Sequence, residues 1–262
     1  MTIPHILEAK GIRKLVCTTA YTFTLSELVS DVGLDIVLVG DSLGTEIHGY
    51  KNTVYVTLDD VIYHSKAVAR ANQNCFIVGD MPFLSTEVSV EETLKNAGRL
   101  ILEGGVDAVK IEGGSKKASL ISALVEAGIP VMGHLGLHPQ KILQMGKYSV
   151  QGRQKEDKKR LVQQAKALEK AGIFSLVLEC IPSSLARTIT QSISIPTIGI
   201  GAGKYCDGQI LVSTDIFGLR PQFKPKFVKI YADIHSVMKK ALNDYKKEVM
   251  EEIFPDDEHS YK

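Results

Sequence analysis

The sequence predicts an α/β protein folded as a single (β/α)8 barrel, or TIM barrel. Three observations carry this reading. Eight short runs rich in valine and isoleucine recur along the chain. Helical signatures lie between most of them, and a pattern of helix, glycine, apolar residue and strand joins one unit to the next. A length of 262 residues leaves one domain or two open, because α/β barrels reach about 250 residues as one domain. No linker or change of composition separates the two halves. The expectation is one barrel domain over residues 1–262, with a short N-terminal lead-in and an acidic C-terminal tail from about residue 251.

The apolar runs are Lys14–Thr19, Asp35–Gly40, Cys75–Gly79, Ala108–Ile111, Pro130–Gly133, Ser175–Leu178, Pro196–Ile200 and Gln209–Val212. Near-continuous apolar runs suit strands buried on both faces of a parallel sheet. Between them, Thr24-x-x-Glu27 and Ser89-x-x-Glu92 read as capping boxes. In 155–172, Leu161, Ala165, Leu168 and Ala171 share one helical face. Helices are expected to stop at Gly33, Gly104, Gly128 and Gly172, where a left-handed conformation costs glycine little. A doubly wound sheet is the rival fold, but Gly199-x-Gly201-x-Gly203 lacks the spacing of a dinucleotide-binding loop and comes late in the chain.

Composition narrows the partners. A net charge of +1 gives no long-range attraction to nucleic acid. No apolar stretch approaches the ~20 residues of a membrane span, and Met1–His5 lacks the pattern of a secretory signal. Cys17, Cys75, Cys180 and Cys206 form no C-x-x-C pair and read as free thiols of a reducing compartment. A soluble, cytoplasmic protein with neither nucleic acid nor membrane as partner is expected.

In such a barrel the chemistry sits at the carboxyl ends of the strands. The run exits there are Val39-Gly40-Asp41-Ser42, Val78-Gly79-Asp80, Lys110-Ile111-Glu112, Gly133-His134 and Leu178-Glu179. Each alone is readily a cap or a loop ion pair. Together, four carboxylates at one mouth repel each other unless a cation or a shared proton intervenes. Oxygen donors with one histidine and no thiolate point to a hard cation, magnesium before zinc. Asp41 and Asp80 are the best ligand candidates, with Glu112 bound directly or through water. Lys110 and Glu112, two apart, point the same way into the barrel. A lysine there can anchor a substrate carboxylate, form a Schiff base or pair with carboxylates.

The chain resembles the ketopantoate hydroxymethyltransferase family over essentially its whole length. The matching stretches are 38–44 (Leu-Val-Gly-Asp-Ser-Leu-Gly), 56–60 with Tyr63-His64, Asp80-Met81-Pro82-Phe83, 109–114 (Val-Lys-Ile-Glu-Gly-Gly), 133–137 (Gly-His-Leu-Gly-Leu), 150–153, 178–182 (Leu-Glu-Cys-Ile-Pro), 198–203 (Ile-Gly-Ile-Gly-Ala-Gly), 207–212 and 254–260. The resemblance implies a magnesium-dependent barrel enzyme that transfers a hydroxymethyl group from 5,10-methylenetetrahydrofolate to 3-methyl-2-oxobutanoate. The product is ketopantoate, for pantothenate and coenzyme A biosynthesis. It also implies a homo-oligomer, a decamer of two pentameric rings. Carried over by position, Asp41 and Asp80 bind magnesium with Glu112 as third carboxylate. Asp41, Ser42, Asp80, Lys110 and His134 hold the keto acid, and Glu179 is the proton acceptor. The Gly199, Gly201 and Gly203 loop is expected on the folate side or as a plain turn. Thr22, His138 and 144–149 depart from the family's usual residues. The residues by themselves also admit another metal-dependent enolate enzyme of the phosphoenolpyruvate/pyruvate type, a Schiff-base aldolase on Lys110, or a barrel that merely binds a small acid.

Overall fold

The computed structural model describes residues 1–72, 74–220 and 225–262. Among them eight parallel strands close into a barrel in sequence order. The strands are β1 (Leu15–Thr19), β2 (Ile36–Val39), β3 (Phe76–Asp80), β4 (Ala108–Glu112), β5 (Val131–Gly136), β6 (Ser175–Glu179), β7 (Thr197–Ile200) and β8 (Gly208–Leu211). Pairing of β1 with β8, Cys17 opposite Ile210, seals the ring. The helices of this part are α1 (Ile3–Glu8), α2 (Phe23–Val32), α3 (Leu43–Glu46), α4 (Leu58–Ala71), α5 (Val90–Leu102), α6 (Ala118–Glu126), α7 (Ile142–Met145), α8 (Lys155–Lys170) and α9 (Ser183–Ser192). All eight strands lie within Met1–Leu211. Val212–Lys262 forms a second compact unit with α10 (Ser213–Ile216) and α11 (Ile234–Met250), a boundary that composition does not mark. No described helix is long and apolar enough to cross a membrane.

Period two along the strands creates two nested cores. Outward residues such as Val37, Ile77, Val109, Ile111, Val131 and Leu176 pack with helix residues such as Leu100, Leu124 and Leu168. Inward residues Leu15, Ile36, Phe76, Val78, Ala108, Met132, Val177, Ile198 and Ile210 fill the barrel, and Ile6 and Ala9 join that cluster through α1 and the turn after it. The inward rows set the site. Continuing Val78 by two gives Asp80, Ala108 gives Lys110 and then Glu112, Met132 gives His134, and Val177 gives Glu179. The amino-terminal end is tied by aspartates that precede strands and accept main-chain N–H groups of the neighbouring one. Asp35 accepts from Val16 (2.8 Å), Asp107 from Ile77 (2.8 Å) and Asp207 from Thr197 (2.9 Å). Arg13 clasps Asp35 with both terminal nitrogens at 2.9 and 2.7 Å.

Local signals differ from expectation in two places. The cap of α2 is Thr22, whose hydroxyl accepts from the Leu25 N–H, and Thr24 lies inside the helix. The earlier of two hydroxyls takes the cap because Thr22 is the one with extended backbone. After α5 the left-handed stop falls on Gly105 (φ 72°), one beyond Gly104. Ser89 caps α5 and Gly33 closes α2 as expected. Thr57 and Asp60 form a capping box at α4 that the sequence reading passed over. The described cysteines are free, with Cys17, Cys75 and Cys206 buried.

Candidate active site

Strand register brings the charged residues together at the carboxyl end of the barrel. Asp80 pairs with Lys110 between β3 and β4, Glu112 with His134 between β4 and β5, and Gly136 with Glu179 between β5 and β6. Lys110 Nζ lies 2.8 Å from Asp80 Oδ1 and 4.0 Å from Glu112 Oε1. His134 Nδ1 stands 3.5 Å from Glu112 Oε1, and its Nε2 stands 3.1 Å from Glu179 Oε2. The Asp41 main-chain N–H donates to Asp80 Oδ2 at 3.1 Å. Asp41, Asp80, Lys110, Glu112 and His134 are all buried, whereas the Glu179 side chain keeps 17% of its surface open. Gly136 has φ 104°, and a Cβ there would collide with the Glu179 carbonyl. Only glycine lets β5 pass so close to the main chain that carries this carboxylate. Cys180 follows it at φ 48°, a left-handed conformation that costs a non-glycine residue energy.

Burial shapes the charges. It pushes Asp41 well above the usual carboxylate range, and repulsion from Asp80 and Glu112 adds to this. Burial also raises Asp80, although the Lys110 ammonium works against it. Burial opposes the charge on Lys110, but Asp80, Glu112 and Asp41 together raise it, so the amine stays protonated. The 2.8 Å ion pair with Asp80 holds the amine as an ammonium, the form that anchors a carboxylate and is not the nucleophile a Schiff base requires. Burial and Lys110 depress His134, yet hydrogen bonding to Glu112 and Glu179 lifts it to about 9. Against its own burial, Glu112 is held down to about 2 by His134 and Lys110.

The donor set fits a divalent cation. Asp41, Asp80, Glu112 and Glu179 gather around Lys110 and His134, so full ionisation of the set leaves negative charge in excess. Among the described residues no three His, Cys, Asp or Glu side chains stand close enough together to hold a metal ion as a set. Magnesium needs no such set, because it keeps several waters and takes one or two carboxylates. The buried Asp41 and Asp80 meet that requirement. Glu112 is engaged by His134 and stands next to them.

The family description "Ketopantoate hydroxymethyltransferase" matches residues 1–257. The chain belongs to the ketopantoate hydroxymethyltransferase family. It is 54% identical to a 3-methyl-2-oxobutanoate hydroxymethyltransferase of Thermoanaerobacter sp. (strain X514), over 95% of this chain and 91% of that one. It is 51% identical to the protein of that name from Thermosipho melanesiensis, over 100% and 99%. The chain is thus an enzyme, a hydroxymethyltransferase. Among solved structures, phosphonopyruvate hydrolase in complex with oxalate and Mg++ shares the fold at TM-score 0.63 and 11% identity, covering 100% of this chain and 92% of that one. Oxaloacetate acetylhydrolase in complex with oxalate matches at TM-score 0.60 and 12% identity, covering 80% and 78%. Such low identity shows a common barrel only, so family membership separates this transferase from the phosphoenolpyruvate/pyruvate type.

Every strand-exit residue singled out in the sequence reaches this mouth. Ser42 Oγ lies 2.7 Å from the hydroxyl of buried Tyr21. In the 199–203 stretch the glycines have backbone reasons. A Cβ at Gly199 would press on Cys206, Gly201 has φ 62°, and a Cβ at Gly203 would collide with Ser183. Of the departures, Thr22 is a helix cap. His138 donates from Nε2 to the His134 carbonyl at 3.1 Å, and burial holds it down to about 4. In 144–149, Tyr148 is about half-exposed, and burial followed by the Asp41, Glu179 and Glu112 charges raises its phenol. Sequence reasoning missed Tyr21 and Gln140. Tyr21 lies two residues past the end of β1, so its place at a strand exit was the available signal. Gln140 had none. A groove of about 500 Å³ lined by Lys158, Lys159, Val162, Gln163, Ser184, Leu185 and Thr188 contains no strand-exit residue.

Proposed function

We propose that the enzyme transfers a hydroxymethyl group from 5,10-methylenetetrahydrofolate to 3-methyl-2-oxobutanoate, giving 2-dehydropantoate for pantothenate and coenzyme A biosynthesis. The observation that carries this reading is the placement of one partly open carboxylate, Glu179, across His134 from a buried Asp–Asp–Lys–Glu cluster. That arrangement suits a reaction that takes a proton from carbon next to a carbonyl and holds the resulting charge. Asp41 and Asp80 would hold magnesium, with Glu112 completing the carboxylate set directly or through water. When bound, the ion supplies Lewis-acid stabilisation of negative charge on the substrate's keto oxygen, worth several kcal/mol.

The chain's own groups do the rest. The Lys110 ammonium and the Ser42 hydroxyl hold the keto acid's carboxylate. Tyr21 can donate its phenolic proton to Ser42 Oγ, which turns the serine hydroxyl outward as a donor. Glu179 accepts the proton from C3 of the keto acid, and His134 keeps that carboxylate aimed and shares the charge. The carbon so activated bonds to the one-carbon unit of the folate; both C–N bonds of that unit break, water supplies the hydroxyl, and the two nitrogens of the departing tetrahydrofolate take up the proton from C3 and the remaining proton of the water. The folate side of the site is assigned to Gly199, Gly201 and Gly203, on β7 and the loop after it. The same reading makes the protein a cytoplasmic homo-oligomer, a decamer by resemblance, which sedimentation would check.

The test is the complete reaction, with and without magnesium. Ketopantoate formation that requires keto acid, folate and divalent cation supports the proposal. Turnover of a phosphonate or a dicarboxylic keto acid in its place, or acid binding with no turnover, would overturn it.

A further inference from the structure

We infer that Gln140 is a positioning residue for the cation site, its side-chain amide locking the Asp41 carboxylate to the exit of β3 before a divalent ion arrives. The inference rests on the proposed role of Asp41 and Asp80 as ligands. Gln140 lies in the short turn Pro139–Lys141 that follows β5. Its Nε2 is 3.1 Å from Asp41 Oδ2 and 3.0 Å from the main-chain oxygen of Met81, the residue after Asp80. The Met81 carbonyl only accepts, so the amide nitrogen must face it, and the second N–H is left for Asp41 Oδ2. The Gln140 main-chain N–H reaches Glu112 Oε2 at a longer 3.4 Å. One residue therefore ties the exits of β2, β3 and β4 to the turn after β5.

Charge explains why a glutamine suits this place. Asp41 is buried beside Asp80 and Glu112, and the ammonium of Lys110 is paired with Asp80. The Gln140 amide is the side-chain donor that the Asp41 carboxylate meets among the described residues. A neutral donor fixes one carboxylate oxygen without placing a positive charge where a cation must bind. A lysine or arginine would compete with the ion, and an apolar side chain would leave the carboxylate free to turn away. Partners of this kind behind a metal ligand are worth roughly 10- to 100-fold in metal affinity.

The experiment titrates Mn2+, a paramagnetic stand-in for Mg2+, into the purified full chain without substrate and follows free ion by electron paramagnetic resonance. Gln140→Met keeps the length and removes both donors. Its dissociation constant should rise roughly 10- to 100-fold over the unsubstituted enzyme. In assays the activating Mg2+ concentration should rise in parallel while kcat at saturating Mg2+ is retained, because Gln140 touches no reacting atom. A merely structural role would lower the melting temperature and leave the Mn2+ constant alone. Unchanged Mn2+ affinity in a folded Gln140→Met protein overturns the inference. Should that variant not fold, Gln140→Asn, too short to span both acceptors, gives the same reading: weakened binding supports the inference and unchanged binding overturns it. Asp41→Asn is measured alongside. Intact binding there overturns the ligand assignment and this inference with it, whereas weakened binding there with wild-type affinity in the Gln140 variants overturns the inference alone.

Discussion

Individual side chains at the barrel mouth divide the work in ways that substitutions can separate. Glu179 is the group with open surface in the charged cluster, and its neighbour His134 is buried between two carboxylates, which favour its protonated form. Glu179→Gln should therefore abolish exchange of the keto acid's C3 proton with deuterated water, read by proton NMR. Turnover should drop on the order of 10²- to 10⁴-fold, with Mn2+ binding kept. Tyr21→Phe removes the partner of the Ser42 hydroxyl at 2.7 Å. A net hydrogen bond is worth about 0.5–1.5 kcal/mol, so KM for the keto acid should rise roughly 2- to 12-fold while kcat changes little. Steady-state kinetics with folate saturating would show it, and a fall confined to kcat would count against this role for Ser42. Glu179 and Lys110 were legible in the sequence because each interrupts an apolar run. Tyr21 was not, because a tyrosine after a strand is also ordinary core.

Strands and helices put these groups in place through a few positions that tolerate no other residue. Gly136 is one: β5 and β6 approach so closely that a Cβ would meet the Glu179 carbonyl, and φ is 104°. Gly136→Ala should cost on the order of 1–3 kcal/mol in denaturant unfolding and lower activity, since relief of the clash must move the strand that bears the base. Ser89 is different. Its hydroxyl caps α5 by accepting from the Glu92 N–H at 3.1 Å, away from the mouth. Ser89→Ala should cost about 1 kcal/mol of stability and leave kcat/KM unchanged, which separates scaffold from site. Element existence was readable from apolar period and glycine stops. Element ends were read less well, as at Thr22 and Gly105, because several adjacent residues satisfy the same local rule and packing chooses among them.

For the whole molecule, the concentrated charge at the mouth makes stability depend on pH and on divalent cations. His138 has its folded value held down to about 4 against an ordinary 6.5, chiefly by burial. The unfolded chain then binds a proton between those values that the folded chain does not. Stability should be full above about pH 6.5 and fall as pH drops toward about 4, and His138→Gln should flatten that limb of a denaturation-versus-pH curve. The excess carboxylates act in the opposite sense. Burial raises Asp41 and Asp80, so the metal-free protein gives up stability as rising pH ionises them. Adding Mg2+ at about 100 times its dissociation constant should return about 2.7 kcal/mol. Calorimetric melting in chelator and in Mg2+ would measure it, and no difference at pH 8 would argue against a cation there.

The sequence by itself determined the class of the fold, the eight strands and the charged residues at their exits. These are local matters: an apolar run has no stable place but a buried strand, and a carboxylate at its end has nowhere to point but the mouth. It also determined the family, through motifs spread along the chain. Tertiary structure alone decided which groups touch. Lys110 chose Asp80, His134 came to bridge Glu112 and Glu179, and Gln140 came to hold Asp41 from 99 residues away. Those pairings follow from the register of neighbouring strands and the path of one turn after β5. Both are fixed by closing the ring, a condition that no local stretch of sequence contains.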